Sequence, residues 1–209
     1  AAPKILARAT NILFEGVMGS MLARAGVPEG TTGDRLARML RAGDVLLLSG
    51  ELGAGKTTFT RSLGEGLGVR EGVISPTFVL SRVHPNLPDG PRAGGPDLVH
   101  VDAYRLSSAE ELDDLDLEFS LDTSVTVIEW GRGKAEHLSD SRLELDFTRL
   151  HGAHTALEYA AGEQGEFDWD AQDDADTDTP EARLLRVRAI GPRWEGHAAH
   201  ELYRALQQA

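Results

Sequence analysis

The run VLLLSGELGAGKTTF at residues 45–59 limits what this chain can fold into more than any other stretch. DVLLLSG is an apolar run of strand length, the kind that a parallel sheet buries on both faces. It stops at Gly50, and Gly53, Gly55 and Lys56 follow within six residues. TTFTRSLGEGLGV then carries a helical pattern that ends at its glycines. A buried strand, a glycine turn and a helix in that order make an α/β unit. The glycines let successive backbone N–H groups turn inward around an anion. Lysine is scarce here, with only Lys4, Lys56 and Lys134, so a lysine inside the glycine turn stands out.

Gly50, Glu51, Leu52, Gly53, Ala54, Gly55, Lys56 and Thr57 together satisfy G-x-x-x-x-G-K-[ST], and Thr58 follows in the first helical turn. Each fixed position has a chemical reason. Lys56 reaches the β- and γ-phosphates of a nucleotide, the Thr57 hydroxyl serves Mg²⁺, and the helix start aims its positive end at the phosphates. The loop is built for a triphosphate.

The rest of the chain supports one P-loop domain. TTGDRLARMLRAG reads as a helix, with Leu36, Met39 and Leu40 at helical spacing and Gly43 as the stop. TFVLSRVH and DLVHVDAYRL read as strands separated by a Pro/Gly surface loop, PNLPDGPRAGGP. SSAEELDDLDLEFSLD opens with a serine cap and a glutamate three residues on. SVTVIEWG is a further strand, RLELDF and LLRVRAI a final strand pair, and WEGHAAHELYRALQQ a helix. The fold expected is a P-loop NTPase-like α/β domain with a mixed or mostly parallel sheet and helices on both faces. Residues 1–30 form an extension with a weak helical pattern (Ile12, Leu13, Val17, Met21, Leu22) broken by glycines. Residues 31–209 form the ATPase domain, and the base-free acidic stretch at about 162–181 reads as a disordered insertion.

Composition narrows the function classes. The net charge of -13 argues against a broad nucleic-acid face, DNA included, because phosphate binding relies on Lys and Arg. No apolar run reaches the length of a membrane span. The absence of cysteine removes thiolate metal sites and fits a reducing compartment, so a cytoplasmic location is expected.

A P-loop also needs an acid at the end of a neighbouring strand. Asp102 ends LVHVD and Glu129 ends VTVIE; one would ligate or orient the metal and the other polarise the attacking water. Between the glycine loop and these strands lies SPTF at 75–78, where the Thr77 hydroxyl could sense the γ-phosphate from a proline-bounded switch. His151/His154 and His197/His200 lack a third ligand and are discounted as metal sites.

With GELGAGKTTF, SPTF, HVDAYRL and VIEWG in this order, the chain resembles the TsaE (YjeE) family, small P-loop ATPases of bacterial tRNA threonylcarbamoyladenosine (t6A) synthesis. The resemblance covers roughly residues 33 to 150 and returns at LLRVRAIGPRW. It implies that Lys56 and Thr57 bind ATP and Mg²⁺, that Asp102 belongs to an HxDxYR motif, and that Glu129 is the acid near the metal. Trp130 is implied as a functional aromatic of the site. It further implies TsaB and TsaD as partners, reset by slow ATP hydrolysis, with tRNA met only through them. The family's T-x-x-L-G start is replaced here by Glu29-Gly-Thr-Thr-Gly33, and 86–97 and 162–181 look like insertions away from the chemistry. Two other readings use the same loop: a small-molecule kinase, for which Arg132 is the only lid arginine near a strand end, and a nucleotide-gated binding protein without appreciable turnover. No N-K-x-D is present to read guanine.

Overall fold

The computed structural model describes residues 6–8, 11–18, 32–149 and 183–207. The strands are β1 (Leu6–Arg8), β2 (Asn11–Met18), β3 (Val45–Gly50), β4 (Ser81–His84), β5 (Asp97–Asp102), β6 (Ser124–Glu129), β7 (Arg142–Arg149) and β8 (Arg183–Ile190). The helices are α1 (Thr32–Ala37), α2 (Lys56–Leu67), α3 (Ala109–Asp113), α4 (Glu118–Leu121) and α5 (His197–Gln207). The strands form one sheet in the order β1-β2-β8-β7-β3-β6-β5-β4. Its centre is parallel: β3 pairs with both β6 and β7, and β6 pairs with β5. The flanks are antiparallel, so the sheet is mixed rather than mostly parallel.

The central position of β3 explains its composition. Val45, Leu46, Leu47 and Leu48 are all fully buried. Leu46 and Leu48 face a core with Leu36 of α1, Phe59 and Leu63 of α2 and Leu202 of α5, whereas Val45 and Leu47 face a second core with Leu112 of α3 and Leu117. Helices therefore cover both faces, and each buried aliphatic contributes roughly 1.5–3 kcal/mol.

Helix α2 runs through Gly64 and Gly66 and stops only at Gly68, whose left-handed backbone closes the C-terminus on Glu65 and Gly64. The interior glycines answer to packing. A Cβ on Gly66 would lie 2.7 Å from the Ala37 Cβ of α1. The loop after β4 fastens the far ends of these two helices. Arg92 donates to the carbonyls of Ala37 and Leu40 at 2.6 and 2.5 Å, and Asn86 Nδ2 donates to Leu67 O at 2.9 Å.

Three expectations change. The N-terminal helical pattern gives way to strands β1 and β2, and β2 lies along β8 in full register from Asn11↔Ile190 to Met18↔Arg183. The edge of β8 offers a row of backbone groups to pair, and that outweighs a weak local periodicity. TFVL is not strand: Val79 and Leu80 N–H groups both bond Pro76 O, and Leu80 takes a φ of 64°, so β4 begins at Ser81. The 107–122 segment is two short helices divided at Asp116, which has a φ of 53°. The acidic 162–181 stretch and His151/His154 lie outside the described residues.

Candidate active site

The site forms where β3, β5 and β6 end. Gly50 closes β3 with a φ of 145°, and a Cβ there would lie 2.5 Å from Phe147 O on β7. Gly55 precedes α2 in the left-handed region (φ 101°), and no side chain caps this helix start. The first-turn amides of α2 are thereby left facing the loop, which suits an anion. Around them, Ala54 and Lys56 are buried, Thr57 and Thr58 half-buried, and Glu51, Leu52 and Gly53 exposed.

Lys56 is only 5% exposed. Its ammonium donates to Gly50 O at 2.8 Å and Glu51 O at 2.9 Å and lies 4.1 Å from the ring centre of Trp130. Burial pushes its pKa below the ordinary lysine value, while the carboxylates of Glu129, Asp102 and Glu51 pull it back up.

Asp102 and Glu129 are register partners in adjacent parallel strands, so their side chains leave the sheet at one level. Both are buried, yet their surroundings differ. Glu129 Oε1 accepts from Thr57 Oγ1 at 2.8 Å and lies 2.8 Å from His100 Nε2. Asp102 Oδ2 accepts from Ser75 Oγ at 2.9 Å and Thr77 Oγ1 at 2.6 Å, and Asp102 Oδ1 from Tyr104 N at 3.1 Å. One carboxylate thus belongs to the phosphate loop and the other to the SPTF turn. Among the described residues no group of three or more His, Asp or Glu could hold a metal ion without further ligands. A hydroxyl with two nearby acids could hold a Mg²⁺ only if phosphate and water supplied the remaining ligands.

Trp130 follows Glu129 with a φ of 62°, a strained value for a bulky residue. Its N–H donates to Leu48 O at 2.8 Å, and Lys134 Nζ donates to Trp130 O and to Ala103 O, which holds the turn. The ring packs against Tyr104 at 5.2 Å between centres. The loop, Lys56, Thr57, Asp102, Glu129, Thr77 and Trp130 are therefore brought together. Arg132 is not part of them; it pairs with Asp146 at 2.9 Å. Arg105 stacks over Phe78 at 4.9 Å. His100 was given no role of its own by the sequence reading, although it opens the HxDxYR motif. The signal was its place two residues before Asp102, on the same face of β5.

The chain is similar to several known proteins. The family model described as threonylcarbamoyl adenosine biosynthesis protein TsaE matches residues 29–156. A Streptomyces coelicolor protein named tRNA threonylcarbamoyladenosine biosynthesis protein TsaE is 52% identical over 78% of this chain and 90% of its own length. Proteins of the same name from Mycobacterium bovis and Bacillus subtilis are 41% and 39% identical, covering 68% and 60% of this chain and 94% and 74% of theirs. The crystal structure of Bacillus subtilis YdiB is similar in fold, with a TM-score of 0.56 and 24% identity over 98% of this chain and 97% of that one. No helix among the described residues is long and apolar enough to cross a membrane. The chain belongs to the TsaE family and to the biosynthesis of threonylcarbamoyladenosine in tRNA.

Proposed function

We propose that this protein is the ATPase of that pathway, binding Mg·ATP on residues 50–57 and hydrolysing it slowly to reset a TsaB–TsaD complex between rounds of tRNA modification. One observation carries the reading: Thr57 and Glu129 are hydrogen-bonded directly beneath a loop that presents Lys56 and an uncapped helix start. Lys56 and the α2 amides neutralise the phosphates, while Leu52 and Trp130 flank them. Thr57 would hold the Mg²⁺, with Glu129 and Asp102 beside it. A Mg²⁺ held there would supply positive charge against the phosphates, while Thr57, Glu129 and Asp102 would keep it in place. Glu129 orients the hydrated side of the site, and Asp102, through Ser75 and Thr77, ties the same level of the sheet to the SPTF turn.

The rim supports a protein partner. Leu52 and Phe78 are each 85% exposed, and Val79 and Tyr104 are also exposed, on elements that border the loop. Large apolar side chains grouped in this way are commonly covered by another protein. A net charge of -13 fits contact with tRNA through partners rather than directly. The kinase reading loses support because Arg132 is engaged by Asp146 and Glu144.

The test is phosphate release from Mg·ATP by the purified protein, alone and with TsaB and TsaD. Lys56→Ala is expected to lose nucleotide affinity, and Glu129→Ala to bind ATP but turn over poorly. Slow release that the pair raises several-fold, and that vanishes in Lys56→Ala, is the expected result. Release indifferent to the pair would refute the resetting role. Binding without any release would favour a nucleotide-gated adaptor.

A further inference from the structure

Three residues from three elements form a chain that ends at the phosphate loop. His100 lies in the middle of β5, fully buried, on the face that also carries Leu98 and Asp102. Its register partner on β6 is Val127, which places Glu129 two residues further along the neighbouring strand, within reach of the ring. Nε2 lies 2.8 Å from Glu129 Oε1, and Nδ1 has no hydrogen-bond partner among the described residues. These two facts settle where the ring proton sits. A hydrogen on Nδ1 alone would leave a buried N–H unpaired and set the Nε2 lone pair against a carboxylate oxygen. A hydrogen on Nε2 avoids both.

Both hydrogen bonds to the Glu129 carboxylate among the described residues end on Oε1, one from His100 and one from Thr57 Oγ1. The Thr57 hydroxyl has a single proton. Once that proton is donated to Glu129, the lone pairs of Oγ1 must face elsewhere, and they become available as a ligand to a cation. The Glu129 carboxylate has another attraction close by in the Lys56 ammonium. Something must keep Oε1 on Thr57.

We propose that His100 is a positioning residue for the metal: by donating from Nε2 to Glu129 Oε1 it fixes the carboxylate, which accepts the Thr57 hydroxyl hydrogen bond and so turns the Thr57 oxygen lone pairs toward a divalent cation. His100 touches neither nucleotide nor metal and acts only through Glu129. The inference rests on the proposed Mg·ATP site. Groups that orient metal ligands from behind set metal affinity by about 10- to 100-fold.

Two measurements test it. In the ligand-free wild type, long-range ¹H–¹⁵N spectra are expected to show His100 with its proton on Nε2; a ring protonated on Nδ1 alone overturns the proposal whatever the site binds. Calorimetric titration of ATP is then run with EDTA and with Mg²⁺ on the wild type, His100→Leu and His100→Gln, each checked for folding by its thermal melt. His100→Leu is expected to bind ATP normally in EDTA and to lose the Mg²⁺-dependent gain by about 10- to 100-fold. His100→Gln, whose amide N–H reaches from nearly the place of Nε2, is expected to restore most of it. A His100→Leu protein with an undiminished Mg²⁺ effect, or a His100→Gln protein as deficient as His100→Leu, overturns the proposal while leaving the ATP site standing. A wild type that binds no ATP at all removes the nucleotide reading and this role together.

Discussion

Replacing Gly50 by alanine tests whether the end of β3 is held by backbone approach. Two costs add at this position. The backbone has a φ of 145°, where an L-residue is strained by about 1–3 kcal/mol. The new Cβ would also lie 2.5 Å from Phe147 O, 3.1 Å from Phe147 Cβ and 3.3 Å from Ala54 Cβ. The first contact is with backbone of the paired strand β7, so relief requires the strands to part, and overpacking of this kind costs about 1–3 kcal/mol. Phe147 cannot retreat freely, since its ring packs edge-on against Phe59 of α2 at 5.4 Å. The sum is roughly 4 kcal/mol, a large share of the 5–15 kcal/mol that holds a typical domain together. For a chain of this size that is a fall in Tm of about 8–16 °C. Gly43→Ala is the control: its φ is 90°, and a Cβ there meets nothing within 4 Å, so only strain applies. Urea denaturation of the two variants separates the effects. If Gly50→Ala is no less stable than Gly43→Ala, the close approach of β7 to the loop is not what demands a glycine, and the reasoning fails.

Other perturbations have clear signs. Asp44 is buried and accepts from Arg193 Nε and Nη2 at 3.0 and 3.1 Å, so Arg193→Met strands a carboxylate and should cost about 3–5 kcal/mol in a urea melt. The double variant with Asp44→Asn should recover part of that loss, and strict additivity would contradict direct pairing. His84 is held below its ordinary value of 6.5, first by burial and then by its neighbours His100 and Arg82. Its unfolded form therefore binds a proton more readily than its folded form, and the stability tied to its neutral ring is full above pH 6.5 and lost as pH falls from there through the folded value. Unfolding free energies measured at pH 7.5 and at about 5.5 should differ more in the wild type than in His84→Leu. An equal difference would assign the acid sensitivity to other groups.

Much of the site was legible because it is written locally. A strand, a glycine turn and a helix follow one another in the chain, and the strand-end acids sit after apolar runs that can be read one at a time. Longer-range facts were not legible. No local signal shows that Asp102 and Glu129 share a register, and without that register His100 is only a buried histidine in a strand. The TFVL segment misled because its β-branched and aromatic residues suit a strand. Pro76 and the hydroxyl contacts to Asp102 fold it into a turn instead. Residues 11–18 misled in the other direction, since their partner, β8, lies more than a hundred and sixty positions away in the chain. The break at Asp116 divides a segment whose charges and serine cap suggested one helix.

The loop between β4 and β5 touches no phosphate-binding residue, yet it bears on the site through leverage. Asn86 grips the carbonyl end of α2, and Arg92 ties down the adjoining end of α1. Helix α2 has 12 residues, a rod of about 18 Å whose other end is the phosphate-facing first turn. A tilt of only about 3° about the gripped end would carry that first turn roughly 1 Å sideways, a displacement large enough to cost an enzyme a hundredfold in rate. Changes of length between Asn86 and Arg92 can therefore be harmless, while loss of either side chain would be felt at the opposite end of the helix, where Lys56 and Thr57 begin it.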